Sequence, residues 1–427
     1  MADLRVNMAG IASPNPFWLA SAPPTNTGDQ VMRAFDAGWG GAVWKTLGDP
    51  IRNVSSRYAA MDYHGTRMMG LNNIELITDR PLEVNFREIS EVKKRYPKHA
   101  VVASLMVETK EEWRDIIKRS IDAGADGLEL NFGCPHGMCE RGMGSAVGQE
   151  ASVCETITSW AKEYSTVPVL IKLTPNISDI TVPGAAAVRG GADGLALINT
   201  IKSIMAVDIE NLVPIPNVGG QSTNGGYCGP AVKPIAMHMI AALARDPATR
   251  TTPISGIGGV SNWRDALEFI LLGATTVQVC TAVMHYGFRI VEDMIEGLSD
   301  YMDSHGVTSV HQLVGKAVRN YLEWGDLDLN HHVVAHIHEE KCIECQVCYT
   351  ACRDGSHDVI RLDRGGERPR VPRVDQDTCV GCNLCHLVCP VPGCIDMVER
   401  RKGDRVTWNE LVARGEAVAG NPQRLQH

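Results

Sequence analysis

Two stretches toward the C-terminal end of the sequence share one spacing, and it constrains this chain more than any other feature. Cys342-Ile-Glu-Cys345-Gln-Val-Cys348-Tyr-Thr-Ala-Cys352 reads C-x2-C-x2-C-x3-C, and Cys379-Val-Gly-Cys382-Asn-Leu-Cys385-His-Leu-Val-Cys389 repeats it. Two-residue gaps let three thiolates of one tight loop reach three irons of a cubane, while the fourth cysteine lies a helical turn further on. Structural zinc would use two cysteines of each run as C-x2-C knuckles and leave the rest without a role. Of the 14 cysteines, nine fall between Cys342 and Cys394 and five (Cys134, Cys139, Cys154, Cys228, Cys280) are scattered before them. That distribution argues against a secreted disulfide framework and divides the chain into a cysteine-poor body and a cysteine-dense tail.

From about Ile337 to Val398 the tail resembles bacterial two-cluster ferredoxins, an α+β fold. The resemblance implies that the fourth cysteine of each run serves the other cluster. Cys342, Cys345, Cys348 and Cys389 would then hold one 4Fe-4S centre, and Cys379, Cys382, Cys385 and Cys352 the second. Arg353 stands where the usual proline of the first run would be, and touches no ligand. Cys394 lies outside both quartets and reads as a small buried thiol.

The body repeats a short β-rich apolar run, a polar or glycine-rich loop, and a helical stretch. Candidate strands are Phe17 to Ala22, Gly41 to Thr46, Val101 to Val107, Gly127 to Asn131, Val169 to Leu173, Gly194 to Asn199, Ile254 to Gly256 and Thr276 to Val279. Between them, segments such as Lys110 to Ala123, Ala151 to Tyr164 and Asn262 to Leu272 carry apolar residues at three-to-four spacing without internal proline, as crossover helices should. Eight such units fit a (β/α)8 TIM barrel, whose chemistry sits at the C-terminal ends of the strands. The expected division is a barrel over 1–309, a helical linker over 310–335, the ferredoxin-like domain over 336–400 and a C-terminal tail over 401–427.

The strand ends carry Lys45-Thr46, Asn131 to Cys134, Lys172, Asn199-Thr200, Gly258-Gly259 and Cys280-Thr281. Six successive polar or reactive strand ends are more than solvent exposure requires. Together with Leu71-Asn72-Asn73-Ile74-Glu75-Leu76-Ile77, Asn131-Phe-Gly-Cys134-Pro-His-Gly137, Lys172-Leu-Thr-Pro-Asn176 and Gly256-Ile-Gly-Gly259 they resemble the flavin-binding barrel of dihydroorotate dehydrogenases. They are closer still to the pyrimidine-reducing part of dihydropyrimidine dehydrogenases, and that likeness covers nearly the whole chain.

The resemblance implies FMN and a cyclic substrate. Lys45, Thr46 and Lys172 would lie at the flavin, with an ammonium beside its N1 edge. Gly229, Gly258, Gly259 and Thr281 would hold its phosphate end, where barrels bind phosphate through backbone amides, and Cys280 would also touch the cofactor. Asn73, Glu75, Asn131, Asn199 and Thr200 would hydrogen-bond a ring of alternating C=O and N–H groups. Cys134 is the candidate acid. Reducing an activated C=C bond needs a hydride on one carbon and a proton on its neighbour, and a thiol of ordinary pKa about 8.5 is still protonated at neutral pH. Residues 135–148, with four glycines, read as a mobile lid over Cys134, and Cys139 within it is a rival acid.

No G-x-G-x-x-G fingerprint stands in a strand-to-helix context, so the resemblance implies a partner subunit that binds FAD and NAD(P)H and feeds electrons through the clusters in a hetero-oligomer. The same barrel run oxidatively would be a dihydroorotate dehydrogenase, and a barrel used only for docking would leave a ferredoxin-type electron carrier. With 41 Lys and Arg against 50 Asp and Glu, the net charge of −9 gives no general attraction for nucleic acid. No apolar run reaches the roughly 20 residues of a membrane span, and Met1-Ala-Asp-Leu-Arg lacks a signal-peptide pattern, so the expectation is a cytoplasmic enzyme.

Overall fold

A computed structural model describes residues 2–63, 65–328, 330–362, 368–400 and 408–415, without the side chains of Cys139, Glu140, Trp408, Asn409 and Leu411. It separates into two compact units that divide after Tyr321. Most of the expected segment 401–427 lies outside the described residues.

The first unit is a closed barrel of eight parallel strands: β1 Phe17–Leu19, β2 Gly41–Leu47, β3 Ala100–Leu105, β4 Gly127–Asn131, β5 Val169–Lys172, β6 Gly194–Leu197, β7 Ile254–Ile257 and β8 Ala274–Val279. All eight expected strands are present. Neighbours pair in sequence order, and β8 closes on β1. Period-two alternation decides what each strand buries. Leu128 and Leu130 of β4 pack outward with Val169 and Ile171 of β5 into the main apolar core, while Glu129, Asn131 and Lys172 point inward. Sequence encodes the flanking helices locally. Thr109 and Glu112 form a reciprocal capping box at the start of Lys110–Asp122, and the Asn262 side chain accepts from two backbone amides at the start of Trp263–Leu271.

The barrel interior is layered. At its N-terminal end the hairpin Val6–Met8/Ile11–Ser13 inserts Met8 and Ile11 among Trp18, Val43, Val102 and Leu170. Above this apolar plug lies a polar layer, in which Gln278 Nε2 donates to Glu129 Oε2 (2.9 Å) and Ser255 Oγ (3.0 Å). At the C-terminal mouth four short antiparallel strands form a separate sheet in the order Ile201–Ser203, Gly225–Cys228, Thr66–Asn73, Tyr58–Tyr63. The sequence reading did not foresee this sheet.

The expected helical linker is a correction. Residues 310–326 form three isolated 3-10 turns, with Gly315 at φ +73°. Val310 and Leu313 are buried in the barrel core, and the amides of Gly315 and Ala317 donate to the carbonyls of Ile270 and Leu271. The segment thereby docks on the end of helix Trp263–Leu271 and gives the Leu271 carbonyl a donor, which a continuous helix would not do. Residues up to Tyr321 belong with the barrel.

In the second unit, Val333–Ile337 pairs antiparallel with Ile395–Glu399, and Ile360–Leu362 with Pro372–Val374, around helices Val347–Gly355 and Leu384–Val388. Arg353 has a visible consequence. Its helix runs on past Cys352 to Gly355, whereas Pro390 biases Cys389 out of the helical region, to φ −69° and ψ 121°, and the second helix stops one residue earlier, at Val388.

Candidate active site and cluster centres

All fourteen barrel residues singled out by sequence line one open cavity of about 1120 Å³ at the C-terminal mouth.

On one side the strand ends present two buried cations. Lys45 Nζ lies 2.7 Å from Glu75 Oε1, the side chains being 5% and 10% exposed, and Arg57 approaches the same oxygen at 3.4 Å. Tyr58 donates to the other carboxylate oxygen, and burial, then this carboxylate, push its hydroxyl well above the usual tyrosine range. Lys172 Nζ lies 3.6 Å from Glu129, which is fully buried. A buried ammonium is tolerable only with such a partner.

A hydrogen-bonded chain ties the next strand ends together. Thr46 Oγ1 meets Ser104 Oγ (2.9 Å) and Ser21 Oγ (3.1 Å) and accepts from Asn131 Nδ2 (3.1 Å). Asn131 Oδ1 accepts from Asn199 Nδ2 at 2.8 Å, and Asn199 Oδ1 from the amide of Thr200 at 2.8 Å. Asn73 reaches the cavity from the mouth sheet, its amide donating to the Gly226 carbonyl at 3.0 Å. These carboxamides are held in fixed orientations, as recognition of a planar ring with ordered donors and acceptors requires.

Cys134 is 8% exposed and sits among Ile77, Met106, Met138 and Met143. The segment expected to be a lid is folded over it. The amide of Ser145 donates to the Cys134 carbonyl at 3.0 Å, and a Cβ on Gly144 would fall 2.7 Å from that oxygen. The side chain of the rival acid, Cys139, lies outside the described residues. His136, which sequence reasoning missed, accompanies Cys134: its Nε2 lies 3.0 Å from the Glu75 carbonyl and its Nδ1 is buried without a partner. Burial holds its pKa below the ordinary value.

At the opposite end Gly229, Gly258 and Gly259 adopt φ of +95°, +132° and +78°. A Cβ on Gly259 would lie 2.8 Å from the Gly229 carbonyl, so this cradle admits only bare backbone. Ser261 and Thr281 bring hydroxyls to the same cavity. Two buried cations at one end and a glycine cradle at the other are groups that could hold an anionic flavin cofactor such as FMN. Cys228 and Cys280 are also in the wall. Burial raises both thiols, that of Cys228 to about 11, so they lack thiolate character at neutral pH.

In the second unit the cysteines fall into the two expected sets. Cys342, Cys345, Cys348 and Cys389 line one cavity of about 310 Å³, and Cys352, Cys379, Cys382 and Cys385 another of about 340 Å³. Each set draws its fourth thiol from the other run. Cys394 is buried, as expected, but in the wall of the first cavity.

The dihydroorotate dehydrogenase family model matches residues 3–302, and a 4Fe-4S dicluster domain model matches 335–397. The NAD-dependent dihydropyrimidine dehydrogenase subunit PreA of Escherichia coli (strain K12) is 43% identical over 406 residues, 94% of this chain and 98% of that protein. The chloroplastic dihydropyrimidine dehydrogenase (NADP(+)) of Arabidopsis thaliana is 42% identical over 337 residues, 76% of this chain and 79% of its own. The catalytic subunit of dihydroorotate dehydrogenase B (NAD(+)) from Pyrococcus horikoshii is 35% identical over 318 residues, 74% of this chain and 98% of its own. The chain therefore belongs to the dihydroorotate dehydrogenase family, with a 4Fe-4S dicluster domain after its barrel. It is an oxidoreductase; the family binds FMN, and the dicluster domain holds two 4Fe-4S clusters. No described helix is long and apolar enough to cross a membrane.

Proposed function

We propose that this chain reduces the C5=C6 bond of uracil or thymine to the 5,6-dihydropyrimidine, using electrons from a partner subunit that binds FAD and NAD(P)H. One observation carries the reading: a buried thiol, a set of oriented carboxamides and two buried lysines converge on one cavity. FMN, when bound, supplies hydride to C6, and the clusters serve as one-electron carriers.

The chain's own residues do the rest. Asn73, Asn131, Asn199 and Thr200 hold the ring by its carbonyl and N–H edge, and Glu75, fixed by Lys45 and Tyr58, accepts from a ring N–H. Cys134 Sγ gives its proton to C5, and the resulting thiolate regains a proton from solvent when the lid opens. Met138 and Met143, both 3% exposed, exclude water while the lid is closed. Lys45 and Lys172 favour negative charge on the cofactor ring.

The test is anaerobic. The purified chain is reduced with dithionite, excess reductant is removed, and uracil or orotate is added while flavin and cluster absorbance are followed. Reoxidation by uracil with dihydrouracil formed supports the reading. A response to orotate and dihydroorotate alone would replace it with dihydroorotate dehydrogenation, the activity named for the Pyrococcus relative. Full turnover in Cys134→Ala together with loss in Cys139→Ala would move the acid to Cys139.

A further inference from the structure

The two cluster cavities derive from one repeated motif, yet their walls differ in polar groups: Ser356 and His357 line the second, and Cys394 lines the first. Ile343 corresponds to Val380 and Gln346 to Asn383, and both pairs line their cavities alike. Each centre also receives one amide at 3.4 Å, from Glu344 to Cys342 Sγ in the first and from Val359 to Cys352 Sγ in the second. The halves part after the fourth cysteine. Four residues beyond Cys352 stands Ser356; four beyond Cys389 stands Gly393.

Ser356 follows the longer helix that Arg353 permits, and its amide donates to the Cys352 carbonyl at 3.2 Å. There its Oγ lies 3.3 Å from Cys382 Sγ. A cysteine bound to iron is a thiolate and has no proton to give, so in the assembled centre the hydroxyl must be the donor. Among the described residues no hydroxyl lines the first cavity. The extra thiol there, Cys394, meets the His338 carbonyl at 3.8 Å and also hydrogen-bonds Cys342 and Cys389, but a thiol is a weaker donor than a hydroxyl.

Hydrogen bonds to cluster sulfurs withdraw electron density and favour the reduced state. We infer that Ser356 is a positioning residue for electrons: through Cys382 it sets the centre held by Cys352, Cys379, Cys382 and Cys385 at a higher reduction potential than its twin. That centre is where a single electron rests while a second arrives. The inference depends on the cysteine sets described above and not on the substrate, so a chain that failed to reduce uracil would leave it standing.

The experiment is a mediated redox titration of the full chain, followed by electron paramagnetic resonance without substrate. Ser356→Ala should lower the upper of the two cluster waves by up to about tenfold in the one-electron equilibrium, 59 mV, and leave the lower wave in place. Ser356→Thr, which keeps the hydroxyl, should keep the native potential. An upper wave that stays put, or a shift confined to the lower wave, overturns the inference. Should Ser356→Ala not retain its iron, Ser356→Gly, the residue type of the other half, is read in the same way. Loss of iron from both, but not from Ser356→Thr, would make the hydroxyl a requirement of assembly and overturn the tuning role.

Discussion

The barrel and the dicluster domain place chemistry in opposite ways. In the barrel the reactive side chains stand above a scaffold that packs without them: Leu128, Leu130, Val169 and Ile171 fill the space between strands and helices, and Cys134, Lys45 and Asn199 project from strand ends. In the dicluster domain the reactive side chains are the core. Among the described residues, Cys348, Cys352, Cys379, Cys385 and Cys394 make up five of the eleven buried residues of its core cluster, leaving six apolar side chains in that cluster for a domain of about sixty residues, near the lower limit for independent folding. Function is grafted onto one unit and is constitutive of the other, so loss of cofactor should not look the same in the two.

The sharpest way to break this contrast is to delete one cluster ligand. Cys385→Ala should abolish the broad iron–sulfur absorbance and make residues beyond the barrel protease-sensitive, while the barrel keeps its flavin. A protease-resistant, iron-free domain would show that its core is self-sufficient. Next in size is Cys134→Ala, expected to lower pyrimidine turnover by about 10²–10⁴-fold, the usual worth of a positioned acid, with flavin content and thermal midpoint unchanged. Smaller is Gly259→Ala. A Cβ at φ +78° costs about 1–2 kcal/mol and meets the Gly229 carbonyl, so FMN should bind roughly tenfold more weakly, as equilibrium dialysis would register, in a barrel that still folds. Unaltered flavin affinity would remove Gly259 from the phosphate cradle.

The same contrast governs what could be read in advance. Cluster ligands were legible because cubane chemistry fixes their spacing within a few residues, and the barrel's strand ends because period-two alternation and the C-terminal-end rule locate them. The mouth sheet was not, since Tyr58–Tyr63 is mostly exposed and carries no alternation to detect. Glu129 was hidden for another reason. Leu128-Glu-Leu-Asn131 looks like any strand, and its buried carboxylate makes sense only once Lys172 arrives from the neighbouring strand and Gln278 from across the barrel. His136 was passed over as part of a loop. The supposed linker helix failed because its amides are used by the end of a neighbouring helix, a tertiary partner no local pattern reveals.

His136 offers the subtlest test of how firmly the barrel holds its site. In the fold its Nε2 faces the Glu75 carbonyl and so carries the ring proton, which leaves Nδ1 as the atom that would have to gain one. That atom is buried without a partner, and burial holds the folded pKa below the ordinary 6.5. Between these two values the unfolded chain binds a proton that the folded chain does not. Stability from this residue is therefore complete above pH 6.5 and is lost as pH falls toward the folded pKa, at a slope of about 1.4 kcal/mol per pH unit at most. Urea unfolding followed by fluorescence of the barrel's buried Trp18, Trp39, Trp44 and Trp113 should show this acid-side loss in the native chain and a flatter profile in His136→Gln. Equal slopes in the two proteins would mean that the lid yields before the imidazole does, so that the residues around Cys134 respond to pH as a surface loop rather than as part of the scaffold.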